Sequence, residues 1–158
     1  MLKDPGVFDV GWVPGDLHHR EEELQTLANM VPTTYMGMMP LRVIGPSGTG
    51  KTATVRYALE DLDRPVDDVR TAYVDAWDHR RSRQALYSIY SELANSTGPI
   101  HAKSPTQDIL SAIYTAVDEQ AVVVIDEADM LQDGSLLTEL HAIDGLALVL
   151  VANRDEDI

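Results

Sequence analysis

Gly45-Pro46-Ser47-Gly48-Thr49-Gly50-Lys51-Thr52 is the stretch from which the rest of the chain is read. An apolar run, Leu41-Arg42-Val43-Ile44, leads into it as a strand, and a helical pattern with Val55, Ala58, Leu59 and Leu62 on one face leads out. Glycine-rich loops between a strand and a helix are suited to wrapping a polyphosphate, because closely approaching backbone N–H groups can point at its oxygens. Gly45, Gly48 and Gly50 are the positions expected to reach positive φ. Pro46, Ser47 and Thr49 complete the cradle. Lys51 is expected to reach the β- and γ-phosphates from the positive end of the following helix, with the Thr52 hydroxyl as a ligand of Mg²⁺.

A second run supports the same chemistry. Ala121-Val122-Val123-Val124-Ile125 has the apolar, β-branched character of a strand buried on both faces, and it ends in Asp126-Glu127. Carboxylates at the end of a buried strand are costly without a cationic partner, and in an open α/β sheet that end borders the ligand crevice. Asp126 is therefore the expected metal-side carboxylate. Glu127 is the expected base that orients an attacking water.

The 158 residues suit one core of ordinary size. No apolar run approaches membrane-spanning length and no basic-then-apolar leader opens the chain, so a cytoplasmic protein without membrane partners is expected. With no cysteine, disulfides and thiolate metal sites are excluded. There are 26 acidic against 12 basic residues, a formal net charge of −14, and only Lys3, Lys51 and Lys103 are lysines. That balance leaves no basic patch for nucleic acid and fits a protein screened by a salt-rich cytoplasm.

Helical and strand patterns alternate along the chain. Residues 1–16 are rich in Pro, Gly and Asp and read as an extended arm; residues 17–158 form the core. A helix capped by Asp16 carries Leu24, Leu27, Ala28 and Val31 on one face. After the phosphate-loop helix come a strand, Val69 to Asp75, and a helix with Leu86, Ile89, Tyr90 and Leu93. Ser104-Pro105-Thr106-Gln107 has the form of an N-cap, first-turn proline and capping box ahead of Ile109, Leu110, Ile113 and Val117. The Asp126 strand, a helix around Leu136, Leu137 and Leu140, and the strand Leu146 to Ala152 complete the order. Strands separated by helices predict a parallel sheet with helices on both faces, a three-layer α/β/α fold.

These residues resemble a known family. GPSGTGKT, VVVIDEADML and LALVLVAN ending at Asn153 look like the Walker A, Walker B and sensor 1 elements of AAA+ ATPases, a branch of the P-loop NTPases. The segment Trp12-Val13-Pro14-Gly15-Asp16-Leu17-His18-His19-Arg20-Glu21 is similar to one in archaeal replication initiators of the origin-recognition and cell-division-control type. The acidic composition points to a haloarchaeal member. Asp75 departs from the Asn usual in that family.

The resemblance implies ATP/ADP and Mg²⁺ as cofactors. It assigns Val13, Pro14 and Arg20 to the adenine side, Glu127 to water positioning and Asn153 to sensing the γ-phosphate. It also implies a fifth core strand, an arginine finger, a helical lid and a DNA-binding winged helix beyond sensor 1. The sequence ends at Ile158, so the expectation is an incomplete module that binds ATP and hydrolyses it slowly. Such a module would meet origin DNA only through regions absent here, and would self-associate or meet other replication proteins. Another P-loop activity, such as a phosphotransferase, and a degenerate chain that only binds nucleotide are the alternatives.

Charge composition alone generates one prediction. The melting temperature should rise substantially from 0.1 M to 2 M KCl as carboxylate repulsion is screened, as read by thermal denaturation. A flat or falling curve would mark an ordinary acidic domain.

Overall fold

The computed structural model describes residues 40–62, 69–94, 98–118 and 120–154. The arm 1–16, the helix expected after Asp16, and Val13, Pro14 and Arg20 lie outside the described residues. Strand β1 (Leu41–Ile44) is followed by α1 (Lys51–Leu62), β2 (Arg70–Asp75), α2 (Ser82–Ala94) and α3 (Thr106–Val117). Then come β3 (Ala121–Asp126), a single 3₁₀ turn (Ala128–Met130), α4 (Ser135–His141) and β4 (Leu146–Ala152).

The described strands form one parallel sheet in the order β1-β4-β3-β2. From β1 the chain crosses through α1 to the far edge at β2, then returns through β3 to β4. Parallel crossovers keep one hand, so reversing the direction of travel moves the connecting helices to the opposite face. Packing follows that rule. Val55 and Leu59 of α1 share a buried cluster with Leu41, Val43, Val122, Val124, Ala147, Val149 and Val151. On the other face Ala72, Val74, Val123, Ile125, Leu148 and Leu150 pack against Leu86, Ile89 and Leu93 of α2, Ile109 and Ile113 of α3, and Leu136 and Leu140 of α4.

Strands β3 and β4 are buried at every position, which is why they read as unbroken apolar runs rather than alternating ones. Being central, they must present an apolar side chain to both layers. At the edge, β2 is only half buried, and its outward groups are met by α2: the Tyr73 amide donates to the Glu92 carboxylate at 2.7 Å, and Arg70 donates to the Leu93 carbonyl at 2.8 Å.

Two local expectations are corrected. No side chain caps α3: Pro105 itself occupies the cap position, and the Ser104 hydroxyl instead accepts the His101 amide at 2.9 Å, closing the preceding turn. Gly48 and Gly50 adopt positive φ, at 82° and 84°, but Gly45 does not. Gly45 is held by the sheet instead, its amide donating to the Ala152 carbonyl at 3.3 Å, so it continues the extended line of β1.

Candidate functional site

The loop after β1 wraps the N-terminus of α1, whose first residue is Lys51. That places backbone N–H groups and the positive end of the helix at the carboxyl edge of the sheet. A cleft of about 460 Å³ opens there, lined by Gly48, Gly50, Lys51 and Thr52 from the loop and helix, Asp126 and Glu127 from the end of β3, and Asn153 just beyond β4. Its volume lies in the range of small-molecule sites. Central strands β3 and β4 deliver their carboxyl-end residues to the loop because β4 lies between β1 and β3.

Lys51 is 7% exposed, and a buried ammonium needs partners. Its Nζ donates to the Gly45 carbonyl at 2.6 Å, the Pro46 carbonyl at 3.0 Å and Asn153 Oδ1 at 3.1 Å. An ammonium has three protons, so all are engaged.

Asp126 is 4% exposed and accepts three hydrogen bonds. The Thr52 hydroxyl donates to Oδ2 at 2.6 Å, the Tyr73 hydroxyl donates to the same oxygen, and the Glu127 amide donates to Oδ1 at 2.9 Å. Thr52 Oγ1 and Asp126 Oδ2 form a pair of hard oxygen donors beside the cleft. Few protein oxygens supplemented by phosphate and water is the coordination Mg²⁺ favours, so the pair fits that ion.

Glu127 sits in the left-handed region, with φ 50° and ψ 43°. For a residue with a Cβ this costs about 1–2 kcal/mol, and it turns the side chain out of the strand direction toward the cleft. Partial burial, followed by the nearby charges of Asp75, Asp126 and Asp129, raises the Glu127 carboxyl above its ordinary range; Lys51 opposes this more weakly. Asp75 and Asp126 are register partners on β2 and β3, which explains why Asp75 contributes.

Sequence reasoning passed over three residues here. Tyr73 lies on the α1 side of β2, with the Arg56 guanidinium 4.4 Å from its ring centroid. Arg56 follows Thr52 by one helical turn, a spacing that could have flagged it. Asp129 follows Glu127 on the 3₁₀ turn, and its Oδ1 is buried without a hydrogen-bond partner among the described residues. Arg80, in the densest basic stretch, stacks on the exposed Trp77 at 4.3 Å and stays apart from the cleft.

Residues 36–156 match the family described as AAA domain. The chain belongs to that family. Two relatives from Halobacterium salinarum align along the whole chain: ORC1-type DNA replication protein 1 at 30% identity and ORC1-type DNA replication protein 9 at 28%. The chain spans 52% and 45% of their respective lengths, about half. Among solved structures, the Aeropyrum pernix ORC2 protein in ADPNP-ADP complexes superposes with a TM-score of 0.69 at 20% identity, over 98% of this chain and 46% of that one. The Aeropyrum pernix ORC1 protein in complex with DNA gives 0.69 at 25% identity, over 92% and 42%. The AAA+ architecture of an α/β P-loop domain is thereby established. No helix among the described residues is long and apolar enough to cross a membrane.

Glu127 generates a stability prediction. A carboxyl whose pKa is raised by folding favours the native state while protonated, and that contribution is lost as pH rises through the raised value. Glu127→Gln should therefore raise the melting temperature of the nucleotide-free protein at pH 7. The gain should shrink as pH falls through the carboxylate range. Equal melting of the two proteins across pH 4–7 would show that Glu127 carries no such burden.

Proposed function

We propose that this chain is the ATP-binding AAA+ module of a DNA replication initiator, working as an ATP/ADP switch in the cytoplasm. The observation that carries the reading is the convergence of Lys51, Thr52, Asp126, Glu127 and Asn153 on one cleft at the N-terminus of α1. The initiator context is supported by the ORC1-type replication proteins among the relatives and by the similar Aeropyrum pernix ORC1 protein, whose structure is a complex with DNA. Residues 17–158 serve as the core, with 1–16 as an arm.

In this reading Gly45 to Thr52 cradle the phosphates, and Lys51 exchanges loop carbonyls for phosphate oxygens. Thr52 and Asp126 hold Mg²⁺, which when bound supplies positive charge to the β- and γ-oxygens. Val13, Pro14 and Arg20 contact the adenine. Glu127 orients the attacking water, and Asn153 changes partner according to whether a γ-phosphate is present. This chain does not itself hold duplex DNA, since a net charge of −14 repels a polyanion, and its protein partners are further copies of itself or other replication proteins.

Hydrolysis by this chain alone should be slow. Lys51 and Arg56 are the cationic side chains lining the cleft among the described residues, and Arg56 is stacked over Tyr73. Charge developing on the transferred phosphoryl group then lacks a free arginine.

Calorimetry in molar KCl with Mg²⁺ tests the reading by comparing ATP, ADP and GTP. ATP and ADP should bind, and Lys51→Ala should lose about 2 kcal/mol or more, the value of a hydrogen bond between charged groups. Unchanged affinity in that variant would overturn the phosphate-loop assignment. Turnover of several per second, or a sequence-specific duplex shift at physiological salt, would overturn the switch assignment for the isolated chain.

A further inference from the structure

Asp126 is held from a direction that the phosphate loop does not supply. Tyr73 aligns with Val124 in the β2–β3 register, two residues short of Asp126. Two residues of strand cover about 6.6 Å, roughly the reach of a phenol side chain, so a tyrosine at this position can lay its ring along the sheet and deliver its hydroxyl to Asp126. Alternation along β2 puts Ala72 and Val74 into the opposite core and leaves Tyr73 facing α1.

Each end of Tyr73 is fixed. Its amide donates to the Glu92 carboxylate at 2.7 Å, tying its backbone to α2. The Arg56 guanidinium covers the ring at 4.4 Å, a cation–π contact from the same helix that carries Thr52. The hydroxyl then donates to Asp126 Oδ2, the oxygen that also accepts the Thr52 hydroxyl. A carboxylate held by the Thr52 hydroxyl and the Glu127 amide alone could still rock about its terminal torsion. A third bond, brought to Oδ2 from the neighbouring strand β2, fixes its plane.

We infer that Tyr73, held under the Arg56 guanidinium, is a positioning residue that orients the Asp126 carboxylate for the divalent cation accompanying the nucleotide. The inference rests on the nucleotide reading above and extends it to a residue outside both phosphate-site motifs. Partners that orient a metal-ligating group characteristically govern metal affinity by 10–100-fold. Tyr73 touches neither the phosphate loop's amides nor Lys51, so its effect belongs to the metal-dependent part of binding.

The experiment is calorimetric titration of ATP in molar KCl, once with Mg²⁺ and once with EDTA, for the wild type, Tyr73→Phe and Arg56→Met. Phe keeps the ring and Met keeps an apolar stem at an exposed helix position, so both folds should persist, which melting curves check. Tyr73→Phe should weaken ATP binding about tenfold with Mg²⁺ while its affinity in EDTA stays within about twofold of wild type. Arg56→Met should give a smaller loss of the same kind. A wild-type Mg²⁺ increment in Tyr73→Phe, or equal losses in both arms for both variants, would overturn the positioning role while leaving the nucleotide reading intact. A wild-type chain that binds no ATP in either arm would overturn both.

Discussion

The ammonium of Lys51, almost wholly out of water, must satisfy three protons with protein oxygens. It does so by taking two carbonyls from the loop after β1 and one amide oxygen from just beyond β4. This one group therefore fastens the loop to the sheet and fixes where α1 begins. The adjacency of β1 and β4 is what makes the third bond possible, since Asn153 can reach Lys51 only from a strand beside β1. A loop stapled in this way has little freedom left to lose.

Asp126 is the complementary constraint. It ends a strand buried on both faces, and three donors arriving from α1, β2 and its own chain meet its two oxygens. Thr52 of α1 and Tyr73 of β2 both meet Oδ2 from the α1 face of the sheet, where Arg56 covers the Tyr73 ring, while the Tyr73 amide ties β2 to Glu92 of α2. Glu127 beside it bears the cost, with a left-handed backbone and a carboxyl repelled by three acidic neighbours.

Halobacterial ORC1-type relatives give the acidic surface a context. With 26 acidic residues against 12 basic, the exterior carries a repulsion that the core must outweigh at low salt. Within the cleft the same excess gathers Asp75, Asp126 and Asp129 around Glu127. Among the described residues Arg56 is the arginine that lines the cleft, and its guanidinium lies over the Tyr73 ring.

Local patterns in the chain determined the strands and their order of helices, because central parallel strands must be apolar on both faces and leave unbroken runs such as Ala121–Ile125 and Leu146–Ala152. Spacing likewise pointed to Gly48, Gly50, Lys51, Thr52 and Asp126, which line one cleft because they come from consecutive residues of one loop and from a strand end beside it. What tertiary structure alone decided is contact between residues distant in sequence. The Lys51–Asn153 bond, the Tyr73 hydroxyl on Asp126 and the Arg56 guanidinium over Tyr73 join positions that no periodicity relates. Even Gly45, expected to reach positive φ, does not do so, and its amide is held by the Ala152 carbonyl on the neighbouring strand. Strand order is the physical reason for all four, for it sets which strand ends and which helix face meet at the carboxyl edge of the sheet.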